Sequence, residues 1–91
     1  MAFEQLDKFT EAIFNEAIQA KEASNNYNTD LKVTIDANRT YMLLTDVLYK
    51  YICTTLSHAK FKGQRYNAHA RLKQLNPSFY AGAFPAKSKL K

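Results

Sequence analysis

The sequence predicts a small, mainly α-helical domain of three helices with a long apolar central helix, and three observations predict it. Two glycines and two prolines in 91 residues are too few breaks for a many-stranded sheet. Apolar residues recur at three-and-four spacing over most of the chain, the mark of helices with one buried face. A single short segment, LKVTID at 31–36, alternates apolar and polar residues, and no second segment of that kind is present to pair with it. A composition of 46% hydrophobic and 13% aromatic residues suffices for a core and excludes a disordered chain. One domain over 1–91 is expected, with a folded core at 1–76 and a partly flexible basic tail at 77–91. So small a core leaves a thin stability margin, so a homodimer is expected too.

The first helix is expected from Phe3 to about Ala23, with Phe3, Leu6, Phe9, Ile13, Ala17 and Ala20 on its buried stripe and Glu4, Lys8, Glu11, Asn15 and Glu22 opposite. Early acids and late Lys21 follow the sense of the helix dipole. SNNYNTD at 24–30 is a loop, because Asn, Ser and Asp side chains bond to their own backbone. LKVTID leaves three readings open: a short strand pairing with its copy, an extended lead-in, or the first turn of the next helix. A second helix, capped by Asp36 or Asn38, runs to about Lys60. Tyr41, Leu44, Leu48, Tyr51 and Ile52 lie on its broad apolar face, and Asp46 and Lys50 stand at ion-pair spacing. A helix apolar around most of its circumference has more surface than one short chain covers, so those five residues are assigned to an interface with a second copy or a partner. Gly63 is read as a left-handed helix terminator. A third helix from Gln64 to Leu75 buries Ala68, Leu72 and Leu75 and ends at Asn76-Pro77. Phe79, Tyr80 and Phe84 are expected to tuck the following segment against the body.

Charge gives the functional lead. All eight carboxylates lie at or before Asp46, where they outnumber four bases and leave that half at −4. From Val47 onward there are nine bases and no acid, a charge of +9. Such polarisation points to a polyanion partner. The signal concentrates in HAKFKGQRYNAHARLK, residues 58–73, where Lys60, Lys62, Arg65, Arg71 and Lys73 stand among Phe61, Tyr66 and His69. Several cations on one ridge release counterions from a phosphate backbone, and aromatic rings beside them can stack exposed bases. Lys87 and Lys89 in the tail would add phosphate contacts. The expected function is therefore non-enzymatic nucleic-acid binding, with RNA or single strands slightly ahead of duplex DNA. The alternative is a small inhibitor or adaptor, of the kind found among phage accessory proteins, that docks its basic face on an acidic protein surface.

Catalysis and metal binding find little support. His58 and His69 have no Cys, Asp or Glu near them in sequence, apart from Cys53, and a zinc site wants three or four such ligands. Cys53 is alone, which suits a reducing cytoplasmic setting and gives no disulfide. Gly63 and Gly82 stand apart, so there is no glycine-rich phosphate loop. No cofactor, secretory signal or membrane span is expected. LKVTID followed by a capped helix resembles the ribbon–helix–helix DNA binders, which would place paired strands in a major groove. That resemblance covers only the strand and the start of the next helix. The second helix is longer than that fold uses, and the outward residues Lys32, Thr34 and Asp36 are barely basic.

Overall fold

Asp7 begins the first helix. Its Oδ2 accepts the Thr10 amide at 2.9 Å and so caps α1, Lys8–Ser24. In the computed structural model, which describes residues 6–26 and 30–85, three more α-helices follow: α2, Leu31–Thr54; α3, Lys62–Leu75; and α4, Pro77–Ala83. The architecture is thus mainly α, as the periodicity predicts. No described helix is long and apolar enough to cross a membrane. Phe3 and Glu4 lie outside the described residues.

The segment 31–36 is helical, which removes the strand reading and with it the ribbon–helix–helix comparison. An unpaired strand would leave its amides and carbonyls without partners, whereas a helix satisfies them internally. The Thr34 amide and hydroxyl both donate to the Asp30 carbonyl, so α2 starts at Leu31 and not at an Asp36 or Asn38 cap. α2 also ends earlier than the apolar pattern suggests. Thr54 and Ser57 turn their hydroxyls onto the carbonyls of Lys50 and Thr54, and His58 adopts extended backbone before a short 3₁₀ turn, Ala59–Phe61. Gly63 is no terminator. No described glycine has positive φ, and Gly63 sits in the first turn of α3. Asn76-Pro77 ends α3 as expected, and it also starts a helix where a tail was foreseen. Asn76 accepts the Phe79 amide and Pro77 takes the first helical position, where no amide hydrogen is needed.

α1 and α2 run antiparallel, with Asp7 beside Tyr51 at one end and Lys21 over the Tyr41 ring at the other. α3 runs alongside α1 in the same direction, since Glu11 meets Asn67 and Lys21 meets the Leu75 carbonyl. The core lies where the three meet: Leu48, Ile52 and Leu56 of α2 and the loop after it against Ala68 and Leu72 of α3, and Phe14 and Ala17 of α1 against Leu75. The buried stripe of α1 is rotated from the expected one. Thr10, Phe14, Ala17 and Ala20 are inside, while Leu6 and Phe9 are exposed. α4 lies against α2 and α3, with Phe79 and Phe84 on Tyr49 and with Tyr80 and Phe84 on His69.

Candidate nucleic-acid interface

The fold sorts the cations of 58–73 into two groups. Lys60, Lys62 and Lys73 are exposed. Lys62 opens α3, and Tyr66 and Lys73 fall within about 40° of it around the helix axis, so the three share one outward ridge. Lys62 and Lys73 stand about 16 Å apart along that ridge. Tyr66 is 49% exposed. Lys60 precedes the ridge on the 3₁₀ turn, with its ammonium 5.2 Å from the Phe61 ring centre. Phe61 itself packs against the core. No carboxylate occurs anywhere from Val47 to the end of the chain, so neither α3 nor α4 puts an acid on this face.

The second group is built into the fold. Arg65 donates through Nη1 to the carbonyls of Leu56 at 2.6 Å and His58 at 3.2 Å, closing the turn that ends α2. Arg71 lies on the other side of α3, where Nε donates to Glu11 Oε2 at 2.9 Å and the guanidinium stacks 5.0 Å from the Phe14 ring. Asn67, almost wholly buried, donates to the same oxygen at 3.1 Å. The predicted stripe of Arg65, His69 and Lys73 is therefore not one surface. Steps of four drift around the helix, and here they pass from a loop carbonyl cage, through an aromatic cluster, into solvent.

His69 is half-buried, shares a hydrogen bond between Nδ1 and the Tyr80 hydroxyl at 2.9 Å, and lies 4.6 Å from the Phe84 ring. Burial, with the Arg65 charge nearby, lowers its pKa from the ordinary histidine value. It packs at the edge of the core, and its Nδ1 is taken up by Tyr80. Tyr49, on the α2 side of the cluster, has the Cys53 thiol one turn on, whose influence holds the Tyr49 phenol above the usual range. Tyr49 meets Phe79 and Phe84 only through the packing of α4 on α2, a contact that no local spacing announces.

The five α2 residues assigned to an interface face the protein's own interior. Leu48 and Ile52 are buried, and Leu44 packs beside Phe14 and Ala17. The Tyr41 hydroxyl donates to the Leu75 carbonyl at 3.0 Å, and burial raises its pKa. Tyr51 donates to Asp7. α1 and α3 flank this face from two sides and cover it. Lys87 and Lys89 lie outside the described residues. No family model matches the chain, and neither the curated proteins nor the solved structures compared with it give a match.

Proposed function

We propose that this protein binds nucleic acid without catalysing a reaction, using the outward ridge of α3. What supports the reading is one observation: Lys62, Tyr66 and Lys73 are exposed along one edge of α3, Lys60 is exposed on the turn before it, and neither α3 nor α4 carries a carboxylate. Cations on a ridge about 16 Å long can follow a phosphate backbone, and a tyrosine set among them offers a stacking surface to an unpaired base. That geometry favours RNA or single strands over duplex DNA, whose bases stay stacked inside the helix. Arg65 and Arg71 take structural parts, which leaves few free cations, so the affinity is modest and strongly salt-dependent. Lys87, Lys89 and Lys91 add three positive charges to the same half of the chain.

The test is fluorescence anisotropy with labelled single-stranded RNA, duplex RNA and duplex DNA over a series of salt concentrations. Replacing Lys60, Lys62 and Lys73 together with Ala is expected to flatten the slope of log K against log salt by about 2 for a single strand, from about 0.7 per phosphate contact. Tyr66→Ala is expected to weaken single-strand binding by about 1–3 kcal/mol per stacked base and to leave that slope unchanged. Absence of binding to all three polymers at low salt would reject the proposal and make the ridge a docking face for an acidic protein surface.

A further inference from the structure

The middle of the α3 ridge is covered by the protein's own chain. At 100° per residue His69 lies about 20° from Lys62 and about 40° from Lys73 around the α3 axis, so it belongs to the same edge. Both lysines are exposed there, whereas His69 is half-buried. What covers it is α4 and the residue after it. The Tyr80 hydroxyl is 2.9 Å from Nδ1, and the rings of Tyr80 and Phe84 lie 5.7 Å and 4.6 Å from the imidazole. α4 is held more lightly than the other helices. It is seven residues long and contributes no buried residue, whereas α1, α2 and α3 each contribute at least three. Its grip is aromatic, through Phe79 and Phe84 on Tyr49 and through Tyr80 and Phe84 on His69. Asn76 is the single residue between α3 and α4, the place about which α4 can turn. Elements that move are drawn from such weakly anchored parts of a fold.

We infer that α4 is an acid-released latch on the ridge: docked, it covers a neutral His69, and when His69 takes up a proton α4 turns away and the imidazolium joins Lys62 and Lys73. The inference rests on the nucleic-acid reading and adds its regulation. The groups facing the ring set the direction of the switch. Tyr80 and Phe84 come from α4 and its end, Arg65 comes from α3, and Tyr49 of α2 meets Phe79 and Phe84. None of these is a carboxylate, and Arg65 is positive. Burial and the Arg65 charge therefore make the docked ring resist the proton, which lowers its pKa below the ordinary 6.5. Once α4 has turned away the ring is in solvent and takes the proton at its ordinary value. Protons thus favour the undocked state, as any ligand favours the state that binds it more tightly. Docking is fully present above pH 6.5 and is eroded below it.

Two readouts test this on the full chain between about pH 7.5 and about pH 5.5. The first is the NMR cross-peak between the Tyr49 and Phe79 rings, which follows α4 without involving His69 or nucleic acid. It is expected to weaken as the pH falls, and His69→Gln is expected to keep it constant. The second is anisotropy with single-stranded oligouridine RNA in a His58→Gln background, which removes the other histidine. The slope of log K against log salt is expected to steepen by about 0.7 at the lower pH, one phosphate contact, and His69→Gln should abolish the change. Phe84→Ala, which loosens the latch, is expected to move the midpoint of the change up towards 6.5, with helical circular dichroism retained. RNA binding with a slope indifferent to pH, or a Tyr49–Phe79 cross-peak that acid leaves intact, would overturn the latch and leave the ridge standing. No RNA binding at either pH would reject the ridge, and its regulation with it.

Discussion

The Tyr51 hydroxyl donates to Asp7 Oδ2 at 2.8 Å, and the same oxygen caps α1 by accepting the Thr10 amide. One carboxylate thus starts the first helix and ties it to the far end of the second. Asp7→Ala removes both bonds and is expected to cost about 1–2 kcal/mol in urea unfolding, against about 1 kcal/mol for Tyr51→Phe. The same bond has a signature at high pH. Burial and the bond to Asp7 push the Tyr51 phenol from 10.0 up to about 12. The unfolded chain therefore gives up this proton first, so the stability is fully present below pH 10 and is lost as the pH rises towards 12. Tyr51→Phe is expected to flatten the loss of melting temperature across that interval; an unchanged alkaline profile would contradict the assignment.

Arg71 and the ridge lysines separate by what their loss does. Arg71→Ala breaks the pair with Glu11 and uncovers the Phe14 ring, and both partners of the pair are about one-quarter to one-third exposed. Solvent screening keeps the expected cost near 1 kcal/mol in unfolding free energy. Lys62→Ala and Lys73→Ala, with both side chains in solvent, should stay within about 0.5 kcal/mol of the parent. A double-mutant cycle with Glu11→Gln should show coupling for Arg71 and none for Lys73.

His69 predicts an acid limb. Its folded-state pKa lies below the ordinary 6.5, so the unfolded chain takes up the proton first as pH falls. The stability is present above 6.5 and is eroded below it, until the folded histidine also titrates. The groups against the ring are Tyr80 of α4 and Phe84 after it, with the Arg65 charge on α3 nearby. None is a carboxylate that would compensate the imidazolium. His69→Gln is expected to reduce the drop in melting temperature between about pH 7 and about pH 5.5, and NMR titration of the parent should place the His69 midpoint below 6.5. A midpoint above that value would refute the buried-ring account.

Periodicity carried most of the fold. Spacing alone located the three long helices, the buried face of Ala68, Leu72 and Leu75, the Asp46–Lys50 pair, found at 3.1 Å, and the docking of Phe79, Tyr80 and Phe84. These features depend on residues within a turn or two of one another, or on apolar side chains that any core would accept. Element ends were less legible. At Leu31 a helix meets its own backbone needs where a lone strand could not. At Thr54 local hydroxyl bonds stop α2 before the apolar pattern runs out.

The basic half of the chain was evident from composition, but which cations face solvent was not. Arg65 and Arg71 stand in the same charged run as Lys60, Lys62 and Lys73, and nothing in the order of residues distinguishes them. Their parts depend on Leu56, His58 and Glu11, brought beside them only when α2 and α1 pack on α3. The same holds for α2, whose apolar residues divide into buried ones such as Leu48 and Ile52 and exposed ones such as Leu31 and Met42. Sequence determines which faces are apolar or charged, because side-chain chemistry is local. Tertiary packing decides which of those faces are used up inside the molecule and which remain for a partner, because each can be covered only once.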